Sequence, residues 1–177
     1  MGKKVIKFTI SDGDIDKAIH ELELYKQEFQ KKVDIYTERI ADEVRKIASL
    51  NFGSATMEHT VRGGFRKPDV TVDVKPQGKI LVVVATGRDA IWCEFGAGVY
   101  ANGAAGSSPN PYGNDLGFKI GSYGEGKGKQ QVWGFYTDPD NKTGLVLTHG
   151  TPASMPMYNA VQEVMQRAIE IAREVFG

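Results

Sequence analysis

The chain has 177 residues, enough for one domain with a sizeable core. Its 22 Lys and Arg balance 22 Asp and Glu, which excludes a long-range pull on nucleic acid or an anionic membrane and leaves only local polyanion contacts. The single cysteine, Cys93, rules out an internal disulfide framework and fits a reducing compartment.

The N-terminus, Met1-Gly2-Lys3-Lys4-Val5, has no apolar run of signal-peptide length, and the most apolar segment, Ile80 to Ala85, is too short to span a bilayer. Cytosolic synthesis and no membrane partner are expected. Gly2 does not read as a myristoylation site because Ile6 stands where Ser or Thr is needed, and Asn141-Lys142-Thr143 reads as a polar turn rather than a glycosylation acceptor.

Val5 to Ile10 alternates, with Ile6, Phe8 and Ile10 on one side, and predicts a half-buried strand. Ser11, with Asp14 three residues on, resembles a helix-capping box. From Ile15 to Leu50 apolar residues recur in steps of three and four through Leu22, Phe29, Tyr36, Ile40, Val44 and Ile47, the strongest periodic signal in the chain. A helix over that span would approach ~50 Å, longer than a compact domain of this size is wide. Either it breaks or its end projects, and its stripe packs on its own sheet or is partly buried by a neighbouring subunit.

Asn51-Phe52-Gly53-Ser54 ends the helix, and the aperiodic region to Pro68 predicts a loop with a basic cluster, Arg62, Arg66 and Lys67. That cluster reads as a solvated loop, or as a contact to nucleic acid or an acidic neighbour. Val70, Val72 and Val74 alternate, Lys75-Pro76-Gln77-Gly78 supplies turn chemistry, and Ile80 to Thr86 is apolar on both faces, which predicts a hairpin with a more central second strand. Between Gly96 and Gln131 a Gly-rich loop is longer than compact domains normally leave unstructured. Val132 to Tyr136 and Leu145 to Leu147 flank an Asp138-Pro139-Asp140-Asn141 turn as a second hairpin. A closing helix follows, with Ser154 as its expected N-cap and Pro156 in its first turn. The fold class is therefore α+β over residues 1–177 as a single domain: an antiparallel sheet of about four to five strands, packed by the long N-terminal helix and the C-terminal helix, with the long loop 96–131.

The motifs of catalysis fail on context. Gly121 to Gly128 fits half of a phosphate-binding loop, but Gly128 replaces the magnesium-binding Ser or Thr and a strand follows where a helix is needed. Cys93 with His149 and Glu94 or Asp89 would make a thiol nucleophile only if the fold joined them, and a lone cysteine beside Trp92 reads as a small buried residue. Asp138 to Asn141 lacks the glycine and glutamate of a calcium loop, and no histidine pair has metal-ligand spacing. The expectation is a non-enzymatic protein with no catalytic residue, cofactor or metal. Glu94, set between Trp92 and Phe95, is expected to need a partner, either an amide of the His149-Gly150 turn or a basic residue, and Ile91, Trp92 and Phe95 are expected to bury.

The order of Trp92-Cys93-Glu94-Phe95-Gly96-Ala97-Gly98-Val99-Tyr100, a Gly- and Pro-rich loop, Val132-Trp133-Gly134-Phe135-Tyr136, Thr148-His149-Gly150-Thr151-Pro152-Ala153 and Met155-Pro156-Met157 before a final helix resembles the tail-component family of long-tailed phages and prophages. Met155 and Met157 stand where that family's closing motif commonly has an aromatic residue. The resemblance covers about the C-terminal half. It implies a virion protein made in the bacterial cytoplasm that acts in tail completion or head–tail joining, as a homo-oligomeric ring expected to be hexameric. Its partners would be the tail tube protein and head-completion or connector proteins, with passing contact to DNA. Trp92, Glu94, Phe95, Gly96, Gly98, Tyr100, Trp133, Tyr136, His149, Gly150, Pro152 and Pro156 would be the structural and assembly residues. The alternatives are a nucleic-acid-associated module using Arg62, Arg66, Lys67, Lys119, Lys127 and Lys129, and a thiol hydrolase using Cys93 and His149.

Overall fold

A computed structural model describes residues 12–58, 60, 63–96, 110–113, 115–116, 132–138 and 140–177. The expected strand Val5 to Ile10, the Ser11 cap, most of the 96–131 loop with its glycine-lysine motif, Arg62, Gly98, Tyr100, Lys119, Lys127 and Lys129 lie outside these residues, as does the side chain of Trp133.

Helix α1, Asp12–Ser54, is unbroken over 43 residues, roughly 60 Å of axis. Its interior holds no proline, and ion pairs one turn apart support its outer face, among them Lys46 to Asp42 at 2.7 Å and Arg45 to Asp42 at 2.6 Å. Helix α3, Pro156–Phe176, lies antiparallel along its C-terminal part. Asn51 donates to the Pro156 carbonyl at 3.2 Å, the Tyr36 hydroxyl to the Ala168 carbonyl at 3.3 Å, Arg39 pairs with Glu174 at 2.5 Å, and Phe29 meets Phe176 at 5.9 Å between ring centroids. There α3 ends. The α1 stripe runs on without it through Leu22, 55% exposed, and Ile19, 50% exposed, so the end of the helix projects.

Strands β1, Met57–Glu58, and β2, Phe65–Arg66, form a short antiparallel ladder inside the region expected to be loop. Strands β3, Thr71–Gln77, and β4, Ile80–Thr86, make the expected hairpin with a tighter turn, because Lys75, Pro76 and Gln77 stay in β3 and Gly78, at φ 63°, supplies the positive φ. Its inner face places Val72, Val74 and Pro76 opposite Ala85, Val83 and Leu81, toward α1. The core is small: Val44, Ala48 and Phe52 of α1 pack with Met57, Val72, Cys93, Ala160 and Val164.

Strands β5, Trp133–Asp138, and β6, Thr143–Thr148, form the second hairpin. Tyr136 and Leu145 pair across it and are 41% and 58% exposed, so these two side chains, with Phe135 and Leu147, meet solvent rather than the core. The α+β class holds, but the expected sheet of four to five strands is corrected to three separate two-stranded ladders among the described residues. Alternation and turn chemistry report which strands fold back on their neighbours. Whether one hairpin joins the next depends on contacts between segments remote in sequence.

Two further expectations change. Residues Ala90–Phe95 form a short helix, α2, and the helical period turns Cys93 and Glu94 inward, leaves Trp92 and Phe95 only half-buried, and exposes Ile91, expected to bury, to 51%. Ser154 does not cap α3. Met155 takes that position in the left-handed region at φ 52°, while the Ser154 hydroxyl donates to the Cys93 carbonyl at 3.2 Å.

Candidate functional site

Three carboxylates, two buried and one half-buried, organise the surroundings of α2. Glu94, 8% exposed, sits at the start of α3, where the first amides of a helix have no intrahelical acceptor. Its Oε2 accepts from the Met157 amide at 2.8 Å and its Oε1 from the Tyr158 amide at 3.0 Å. These are the amides that a local Ser or Asp cap would satisfy, so α3 is capped by a residue more than sixty positions upstream. Asn110, 1% exposed, donates to the same Oε1 at 2.8 Å and accepts the Tyr112 amide at 3.0 Å, tying residues 110–112 to the cap. Among the described residues neither of the expected sources, the His149-Gly150 turn or a basic residue, serves Glu94, because the inward turn of α2 aims the carboxylate at the α3 terminus.

The second carboxylate, Glu58 on β1, holds that turn instead. It accepts from the Thr148 hydroxyl at 3.0 Å, the His149 amide at 2.6 Å and His149 Nδ1 at 2.7 Å. Burial works to raise the Glu58 carboxyl, but the hydrogen bonds from His149 and Thr148 outweigh it and hold the group below the usual glutamate range. Gly150, at φ 104°, donates its amide to the Thr148 hydroxyl at 3.0 Å.

The third, Asp89, is 2% exposed at the base of the β3–β4 hairpin. Arg66 grips it with two bonds of 2.5 and 2.7 Å, and the Asp69 amide adds a third at 2.8 Å. Burial pushes its carboxyl up, yet the Arg66 bonds, the Asp69 amide and the Arg66 charge prevail and leave it below the ordinary range. Arg66 was expected in a solvent-facing polyanion cluster. It is instead the counter-ion of a buried acid, and Lys67 leans on the Ser54 carbonyl at 3.4 Å. Position carries a signal for this pair: Arg66 precedes β3 and Asp89 follows β4, and an antiparallel hairpin brings its two ends together. Nothing local marked Glu58 or Asn110.

Of the expected assembly residues, Trp92, Glu94, Phe95 and Gly96 lie at one junction with Pro156, which is buried. Gly96, at φ 80°, passes so close to the returning chain that a Cβ there would stand 3.1 Å from the Ala153 amide and 3.2 Å from the Thr151 carbonyl. Ser154 and Met155 donate their amides to the Cys93 carbonyl at 2.9 and 3.2 Å. His149, Gly150 and Pro152 belong to the segment that Glu58 and Gly96 hold, while Tyr136 stands apart on the exposed β5–β6 hairpin.

Chemically, the arrangement binds backbone rather than presenting a reactive group. Cys93 is 1% exposed, and burial, with the Asp89 charge adding to it, pushes its thiol up to about 11. The His149 ring is engaged by Glu58. Among the described residues no cluster of three or more His, Cys, Asp or Glu is placed to hold a metal, and no helix is long and apolar enough to cross a membrane. No family model, curated protein or solved structure matches this chain.

Proposed function

We propose that this chain is a non-enzymatic structural subunit of a phage or prophage neck, assembling as a homo-oligomeric ring at the head-proximal end of the tail. One observation carries the reading. The strongest apolar stripe in the sequence is covered by α3 and the core only over its C-terminal part, and Ile15, Ile19, Leu22 and Phe29 remain between 37% and 55% exposed. Monomeric proteins rarely leave an apolar stripe of that length in water, whereas subunits of an assembly bury it against a neighbour. The resemblance of Trp92 to Gly98 and Thr148 to Met157 to the tail-component family supplies the setting, with tail tube and head-completion proteins as further partners. The virion is then the location.

Light scattering at rising concentration, with electron microscopy of the assembled fraction, tests the reading. Rings, hexameric in the expected case, that co-sediment with tail tube or head-completion proteins support it; a strict monomer that binds neither overturns it.

Among the described residues nothing favours the nucleic-acid alternative, since Arg66 is occupied by Asp89 and Lys67 by a carbonyl. The thiol hydrolase is disfavoured by a buried, high-pKa Cys93 and a His149 engaged elsewhere.

A further inference from the structure

A second surface with apolar residues outside the core lies on the same chain. Among the described residues the β3–β4 hairpin is covered by α1 on its inner face; its outer face carries Ile80, 58% exposed, and the half-buried Val82 and Val84, beside Thr71, Asp73, Lys75 and Gln77 of β3. The run Ile80 to Ala85 is apolar on both faces, the composition of a strand sandwiched between two layers. Among the described residues only one of those layers, α1, is present.

From these two faces we propose that the projecting half of α1 of one copy, Asp14 to Phe29, docks on the outer face of the β3–β4 hairpin of a second copy. The proposal rests on the oligomeric reading above and names its interface. Charge and size select this occupant. Between Asp14 and Phe29 the helix has five acids, Asp14, Asp16, Glu21, Glu23 and Glu28, against Lys17 and Lys26. Two such segments laid against each other would repel. The hairpin has the opposite balance, with Lys75 and Lys79 at its tip against Asp73 alone. Acidic helix against basic sheet therefore attracts, while Ile15, Ile19 and Leu22 fill the apolar middle. The lengths agree too: the projecting helix is about 24 Å long and a seven-residue strand about 23 Å.

The joint is heterologous, because the helix surface of each copy meets the sheet surface of the next. Head-to-tail contacts of this kind close into rings when the rotation per subunit permits. The docked helix also supplies the missing layer, giving helix, sheet, helix.

The test uses two full-length variants, Leu22→Glu on the helix face and Val82→Glu on the sheet face, each at a position outside the buried core. Each alone is expected to stay folded by circular dichroism and to lose higher assembly, with dissociation constants raised at least tenfold. Mixed together they should form one heterodimer and nothing larger, since one intact helix face and one intact sheet face remain between them. Cysteines at Ile19 and Val84 of the wild-type background, joined by a short bismaleimide, should give a ladder rather than a single dimer band. If the wild-type protein oligomerises but both variants still assemble, or if the mixture forms no heterodimer, the interface is wrong while the oligomeric reading stands. A single dimer band from cysteines placed at Ile19 alone would show a two-fold helix pairing and overturn the proposal as well. A wild-type chain that stays monomeric at high concentration overturns both.

Discussion

Glu94 stands in for a cap that the α3 sequence does not supply. Met155 at the N-cap position has no side-chain oxygen to offer, and the two orphan amides of Met157 and Tyr158 are satisfied from α2. Replacing Glu94 by alanine is expected to destabilise the subunit by about 2–4 kcal/mol, since it uncaps a helix and removes the buried acceptor of the Asn110 amide bond. Glu94→Gln keeps one acceptor oxygen and should lose about half as much. Urea denaturation of the dispersed subunit measures both, and an alanine variant no weaker than the glutamine one would sink the capping role. Asp89 and Glu58 make a pH prediction. Both folded carboxyls lie below their ordinary values, so their contribution is fully present above the unfolded range, about 3.9 for Asp and about 4.3 for Glu, and is lost as pH falls through the folded values. Stability should therefore drop below about pH 4.5, and Asp89→Asn should flatten that drop while lowering the plateau by about 2–3 kcal/mol by leaving Arg66 without its counter-ion. Urea midpoints between pH 6 and pH 3 give the comparison. At this scale the sequence showed that Glu94 sits among aromatics and needs partners, but not which ones, because the direction of a side chain follows from the helical turn it occupies.

Among the elements, α1 has two halves of different stability. Its C-terminal half packs on α3 and β3–β4, and its N-terminal half depends on helix propensity and exposed ion pairs such as Lys17 to Asp14 at 3.8 Å, which contribute little in water. Backbone amides between residues 14 and 28 are expected to exchange at least tenfold faster than those between 36 and 52 in the dispersed subunit, and to gain protection on assembly. Hydrogen-exchange mass spectrometry before and after assembly reads this directly. Uniform protection along α1 in the monomer would contradict it. The helices and both long hairpins were legible because hydrophobic period and turn residues are local. The ladder of Met57–Glu58 with Phe65–Arg66 was not: two residues are too few to show a period. The short α2 was hidden by its glycine-rich sequel, and its inward residues, a cysteine and a glutamate, do not look like a buried face.

The described residues form a small core and leave apolar side chains exposed on α1, on β5–β6 and, at Ile80, on the β3–β4 hairpin. If neighbours cover those faces in the native particle, assembly binds the folded state alone and stabilises it by mass action. The melting temperature should then rise by several degrees over a hundredfold increase in protein concentration, which scanning calorimetry can follow; a concentration-independent value would count against assembly. By itself the sequence determined the α+β class, the order of the main elements and the amphipathic stripe of α1, since each is set by residues within a few turns of one another. The tertiary structure decided the rest: that the hairpins stay separate, that Arg66 serves Asp89, that Glu94 caps α3, and that half of the best apolar stripe lies bare. Periodicity reveals which face of an element must be buried, and only the packing of distant segments reveals what buries it.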